Sequence, residues 1–170
     1  MESGLGVLRD PRSKTCLKNK KNNLEEILVE IRRLVPDDYE KMIRLWEEAG
    51  LPYKPKGRDS RESIEKQMKE NPDFVIGAFD GERLIGTIIA SFDGRKGWIN
   101  RLAVHPEYRR RGIGQLLIRK AETVFKEKGA WVICALIERE NKPSLNLFEK
   151  CGYKPSNDIV YVSKRESDLV

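Results

Sequence analysis

The stretch of this chain best equipped for ligand chemistry is Arg109-Arg110-Arg111-Gly112-Ile113-Gly114, entered through Leu102-Ala103-Val104-His105-Pro106-Glu107-Tyr108. It joins an apolar strand end, glycines that leave backbone N–H groups uncovered, and concentrated positive charge. That combination describes an anion receptor. Downstream, Ile113, Leu116, Leu117, Ala121, Val124 and Phe125 recur at helical spacing, so a helix begins near Gly112 and turns its unpaired N–H groups toward the loop. The positive end of a helix dipole disfavours cations, so arginines 109, 110 and 111 imply a visiting polyanion. Read as a solvated basic turn, the same residues would serve solubility alone. No Gly-x-x-x-x-Gly-Lys-Ser/Thr occurs in the chain, which excludes a P-loop. Leu117 stands where a dinucleotide fingerprint needs its third glycine.

Other chemistry is sparse. The single histidine, His105, precedes Pro106 and reads as a turn residue, with no serine or cysteine constellation around it. Cys16, Cys134 and Cys151 are odd in number and lack Cys-x-x-Cys spacing, so neither a disulfide framework nor a zinc site is expected. No metal is expected, and free thiols suit a reducing cytoplasm. The chain has 170 residues, a formal net charge of +6 and a pI near 9.2, with acids and bases both plentiful. The excess suits an anionic ligand without naming it. No apolar run reaches membrane-spanning length, and the first residues lack a signal-peptide core.

The elements that must position the loop follow from periodicity and breakers. Residues 1–26, with Gly4, Gly6, Pro11 and the basic run Lys18–Asn23, read as a disordered tail ahead of one domain at 27–170. A strand is expected over Ile27–Leu34. Pro36-Asp37-Asp38 then opens a helix that buries Met42, Ile43, Leu45, Trp46 and Ala49 and ends at Gly50. After a polar connection, Ser60 caps a second helix with Ile64 and Met68 inward, stopped by Asn71-Pro72. Strands 74–79, 84–92 and 98–104, linked through Asp80-Gly81 and Asp93-Gly94, form an antiparallel meander.

The apolar run Ala130–Ile137 reads as a strand covered on both faces, reached by a right-handed crossover and so parallel to 98–104. A helix from Lys142 to about Cys151 and a last strand around Ile159–Val162 complete the order. The fold class is α/β: a mixed, mostly antiparallel central sheet with one parallel strand pair, flanked by about four helices. The anion loop then lies at the carboxyl end of one of two adjacent parallel strands.

This order of elements, with Arg109–Gly114 after the fourth strand and Asn141…Leu147-Phe148-Glu149-Lys150-Cys151-Gly152-Tyr153 after the fifth, resembles the GCN5-related N-acetyltransferase family over residues 29–165. The similarity is to its small single-domain bacterial and archaeal members. It implies that the amides of Arg109, Arg110, Arg111, Gly112, Ile113 and Gly114 cradle the pyrophosphate of acetyl-CoA. It also implies that Leu102, Ala103 and Val104 offer backbone groups to the pantetheine arm. Asn141 matches the family's asparagine near the pantetheine; a helix-start cap explains it equally well. The chemistry implied is direct attack by an amine acceptor on the thioester.

A free alkyl amine, with a pKa near 10.4, must first lose a proton. Glu138 and Glu140 are the nearest acidic candidates for that base, with surface charge as their other reading. One position departs from the family pattern. Where members carry a tyrosine as general acid in Leu-Tyr-Glu-Lys, this chain has Leu147-Phe148-Glu149-Lys150, and Phe148 cannot donate a proton. Tyr108, Tyr153 or water would have to substitute. The leading expectation is a cytoplasmic acetyl-CoA-dependent N-acetyltransferase acting on a primary amine, as monomer or homodimer, with Leu51–Arg58 bordering the acceptor groove. An idle CoA-binding module is the rival reading. Nucleic-acid binding is disfavoured because the arginines lack exposed aromatics arranged for stacking.

Overall fold

The computed structural model describes residues 13–18, 26–165 and 167. Six strands form one sheet in the order β1-β2-β3-β4-β5-β6: β1 Ser13–Lys18, β2 Glu26–Arg33, β3 Val75–Asp80, β4 Arg83–Phe92, β5 Lys96–Val104 and β6 Val132–Ala135. Neighbours are antiparallel except the parallel pair β5 and β6. The helices are α1 Tyr39–Ala49, α2 Arg61–Glu70, α3 Ile113–Glu127 and α4 Lys142–Lys150.

Alternation along the strands sends side chains to two cores. On one face Ile76 and Ala78 of β3 and Ile85 and Ile88 of β4 pack with Ile113, Leu117, Ile118, Ala121 and Phe125 of α3 and with Phe148 of α4. On the other, Val75, Leu84 and Ile89 meet Met42, Leu45 and Trp46 of α1 and Ile64 and Met68 of α2. Trp46 is fully buried and donates its indole N–H to the buried Thr87 hydroxyl at 3.0 Å. The sheet is therefore sandwiched between two helix pairs, with α3 delivered to the carboxyl end of β5.

The meander and the parallel strand are as the sequence predicts. Other expectations are corrected. Within the stretch read as a disordered tail, Ser13–Lys18 pairs with β2 from Ser13↔Ile31 to Lys18↔Glu26; residues 1–12 and 19–25 lie outside the described residues. Phe74 belongs to a short 3-10 turn rather than to β3. The strand expected over 130–137 is only Val132–Ala135 and is not covered on both faces, since Trp131 and Leu136 beside it are exposed. The closing strand around Ile159–Val162 does not form; those side chains lie in solvent. No further strand lies along the outer edge of β6 among the described residues, which leaves that side of β6 uncovered.

Candidate active site

The site begins with a fork between two parallel strands. β5 pairs with β6 from Lys96↔Val132 to Ile99↔Ala135 and then stops, whereas its pairing with β4 continues to Gly86↔Val104. The break coincides with a bulge. Ile89 faces Arg101 and Ala90 faces Ile99, so Asn100 is the extra residue on β5. A bulge bends and twists its strand, which carries residues 101–104 away from β6.

That fork leaves one edge of β5 open. His105 donates its N–H to Ile85 at 2.9 Å, and alternation along an antiparallel ladder then gives the main-chain groups of Ala103 to β4. Leu102 and Val104 turn theirs to the open side. Ala103 instead contributes a buried methyl group to the core beneath α1.

Beyond Val104 the chain makes a single 3-10 turn, Pro106–Tyr108, capped by His105, whose Nδ1 accepts the N–H of Glu107 at 3.2 Å. This histidine is buried, as a turn residue locked between Arg83 (2.9 Å) and Glu48 (3.3 Å). Tyr108 donates to Asp80 at 2.9 Å; burial, and then that carboxylate, push its hydroxyl pKa up.

Arg110 and Gly112 follow with φ of +66° and +87°, and α3 starts at Ile113. Left-handed residues so close together curl the backbone and gather its N–H groups on one side. The first helical bond above Gly112 is Leu116 N–H to its carbonyl, at 3.0 Å. The N–H groups of Ile113, Gly114 and Gln115 therefore project from the helix end. A Cβ on Gly112 would meet nothing within 4 Å, so the loop faces open space. A Cβ on Gly114 would sit 2.8 Å from Leu147 Cδ2, so this glycine serves the contact between α3 and α4.

The arginines divide. Arg109 donates Nε to Val104 at 3.1 Å and Nη2 to Ala49 at 2.7 Å, which commits it to main-chain carbonyls. Arg111 lies over the Tyr108 ring at 5.3 Å. Neither Arg110 nor Arg111 makes an ion pair among the described residues.

Because β5 and β6 are parallel, residues 136–141 leave the sheet at the same end as this loop. Glu138 and Glu140 are exposed there, their carbonyls accepting the N–H groups of Asn141 (2.9 Å) and Lys142 (2.8 Å). Asn141 caps α4, its Oδ1 accepting the N–H of Ser144 at 3.2 Å. Phe148 is buried, edge-on to Tyr153 with ring centroids 5.0 Å apart. The Tyr153 hydroxyl is buried without a hydrogen-bond partner; burial first, and then Glu122, push its pKa far up.

Arg101 of β5 reaches across to the connection between α1 and α2. It donates to Pro52 at 3.1 Å and to the buried Asp59 at 2.6 Å, and Asp59 also accepts the N–H of Lys54 at 2.8 Å. Tyr53 in the same connection donates to Glu47 at 2.7 Å. The pairing of Arg101 with Asp59 has no local sequence signal, because the two are 42 positions apart.

The Acetyltransferase (GNAT) family profile matches residues 31–153, which spans both strands of the fork, the loop and α4. Acetyltransferase SG1711 of Sodalis glossinidius is 31% identical over 139 residues, covering 81% of this chain and 95% of its own. Acetyltransferase plu1384 of Photorhabdus laumondii is 35% identical over 139 residues, with the same coverage of 81% and 95%. Among solved structures, the PaiA N-acetyltransferase of Thermoplasma acidophilum in complex with coenzyme A superposes with a TM-score of 0.66 at 27% identity, covering 74% of this chain and 89% of that one. With the forked strand pair and the N–H loop at its mouth, these matches settle the family: the chain belongs to the GNAT acetyltransferases and is an N-acetyltransferase.

Proposed function

We propose that this enzyme moves the acetyl group of acetyl-CoA to a primary amine, whether a protein N-terminus, a lysine or a small amine, by direct attack in a ternary complex. The observation that carries the reading is the fork: β5 runs on from Ile99 to Val104 without β6 and leads into the N–H groups of Gly112–Gln115. These residues fit the donor. The open edge offers the main-chain groups of Leu102 and the N–H of Val104, whose carbonyl already accepts from Arg109, at strand spacing to an amide-bearing arm. The curled backbone from Arg110 to Gly114, with the arginine charges beside it, suits a pyrophosphate. The open space before Gly112 leaves room for that group.

Acetyl-CoA supplies an acyl thioester. The chain's part is to align the acyl group with the acceptor and to place an N–H of the open β5 edge against the oxygen on which charge develops. An ammonium acceptor must be deprotonated. Glu138 and Glu140, whose carboxylates make no hydrogen bond or ion pair among the described residues, are the bases proposed, acting through water at the rim. Tyr108 is engaged with Asp80. The Tyr153 hydroxyl, buried beside Glu122, is kept protonated by burial and then by that carboxylate. The departing thiol, with a pKa near 8.5 like that of cysteine, then leaves largely as thiolate.

Asn141, bound to Ser144 through Oδ1, keeps its amide N–H donors for the pantetheine side. The connection Leu51–Arg58, held to β5 by Arg101, borders the acceptor. Cys134 and Cys151 are free thiols, which suits a reducing cytoplasm. No helix among the described residues is long and apolar enough to cross a membrane.

Calorimetric titration of CoA into the full chain tests the donor site, and absence of binding at millimolar concentration would overturn it. Incubation with acetyl-CoA and a panel of amines and peptides tests the transfer. Free CoA must appear together with an acetylated product detected by mass spectrometry; thiol release without any acetylated amine refutes the acceptor class.

A further inference from the structure

The bulge that opens the fork also decides which way Arg101 points. Ahead of it, positions 97 and 99 face α3: a Cβ on Gly97 would strike the Phe125 ring at 2.6 Å, and Ile99 lies in the same core. Strict alternation would send Arg101 and Ala103 into that core as well. The extra residue, Asn100, reverses the parity. Leu102 and Val104 now pack against the α3 core, while Ala103 enters the α1 core. Arg101 points the same way as Ala103, its guanidinium carbon 5.8 Å from the centre of the Trp46 ring.

There it meets the residue around which the connection between α1 and α2 is folded. Asp59 is buried; its Oδ2 accepts the N–H of Lys54 at 2.8 Å, and its own N–H donates to the Lys54 carbonyl at 3.2 Å, which closes residues 54–59 into a loop. The Asp59 carbonyl accepts from Tyr39 of α1 at 3.4 Å. A buried carboxylate needs a charge partner. Arg58 approaches it only to 3.6 Å and is half exposed, whereas Arg101, with its side chain 15% exposed, bonds it at 2.6 Å. Arg101 also donates to the Pro52 carbonyl at 3.1 Å, so one guanidinium grips both ends of the connection.

We propose that Arg101 is a positioning residue for the acceptor amine: through Asp59 and Pro52 it sets Leu51–Arg58 against the open stretch of β5, so that use of the amine depends on it and donor binding does not. The inference rests on the reading of this site as an acetyl-CoA-dependent amine acetyltransferase. Arg101 is the first residue of β5 beyond the bulge, directly ahead of Leu102–Val104. The strand thus offers its edge to the donor and, from its α1 face, holds the wall for the acceptor. The donor loop has a separate clamp, since Arg109 ties it to Val104 and Ala49.

Three variants of the full chain separate positioning from stability. Arg101→Gln leaves Asp59 buried without its partner, so its melting temperature should fall. Arg101→Gln combined with Asp59→Asn removes both charges and should regain melting, but not use of the amine. Arg101→Lys keeps the charge and should recover part of that use. With acetyl-CoA and an alanine-initiated hexapeptide or benzylamine as probes, kcat/KM for the amine should fall about 10-fold or more in the first two variants. The KM for acetyl-CoA and the calorimetric Kd for CoA should not change. Trypsin should also cut faster after Lys56 and Arg58 in both, a reading by mass spectrometry that needs no acceptor. A native chain that acetylates neither probe refutes the functional reading, and proteolysis then decides the pair by itself. Unchanged cleavage in the double variant overturns the proposal. So does a kcat/KM for the amine that returns together with melting, or a loss of CoA affinity equal to the loss in use of the amine.

Discussion

The guanidinium of Arg109 donates to the carbonyl of Ala49 at 2.7 Å, tying the first arginine of the loop to the last turn of α1. A cation at a helix C-terminus satisfies a carbonyl left without a partner. Arg109 is thus a clamp between the loop and α1, while Arg110 and Arg111 make no ion pair among the described residues and are the arginines proposed to meet the ligand. Arg109→Ala is expected to cost about 1 kcal/mol of stability, the net worth of an ordinary hydrogen bond, seen as a lower melting temperature. Arg110→Ala and Arg111→Ala should leave melting nearly unchanged. They should weaken CoA binding several-fold and flatten its salt dependence, measured by titration at two ionic strengths.

Gly112 and Gly114 share one motif and do different work. Gly112→Trp should abolish CoA binding while circular dichroism stays native, because its side chain enters open space before the loop. Gly114→Ala puts a methyl 2.8 Å from Leu147 Cδ2. Overpacking of that kind costs about 1–3 kcal/mol, so urea denaturation should show the loss, with a smaller effect on CoA affinity. Equal loss of affinity in both variants, with stability intact, would contradict this division.

By the resemblance to the family's Leu-Tyr-Glu-Lys pattern, Phe148 stands where a tyrosine would donate the proton. Phe148→Tyr is expected to raise turnover, by up to about 10²-fold where departure of the thiol limits the rate. The new hydroxyl enters a buried site, so stability should fall modestly. CoA release in the steady state, measured with a responsive amine across a pH range, reads the gain.

Asp93 closes the turn between β4 and β5 by accepting the N–H groups of Lys96 at 2.7 Å and Arg95 at 2.9 Å and the indole N–H of Trp98 at 3.1 Å. The Lys96 amide, then Trp98 and Arg95, draw its carboxyl down to about 2. Unfolded, the group titrates near 3.9. Its contribution is therefore complete above pH about 4 and is lost as the pH falls toward 2. Asp93→Asn should be less stable than the native chain at pH 7, and the gap should close between pH about 4 and 2. Urea denaturation at stepped pH values checks it.

The amino-acid sequence by itself determined what depends on neighbours along the chain. The helix start near Gly112, the apolar face of α3 and the hairpin turns after Asp80 and Asp93 follow from residues within a few positions of one another, and the parallel sense of β6 from the handedness of the crossover that precedes it. Local dihedral preference and periodicity are local properties. They were sufficient to place the glycine-bearing arginine loop between the carboxyl end of β5 and the start of α3.

Only the tertiary structure decided which partners those residues meet. Arg109 caps a helix 60 positions away, and Arg101 reaches Asp59 across 42. Asn100 bulges because of its register against β4, and that bulge opens the fork. Ile159–Val162 has the composition of a strand, yet its side chains are exposed and it pairs with no strand among the described residues. Propensity is a property of the segment, whereas pairing, capping and burial are properties of the surface the segment finds.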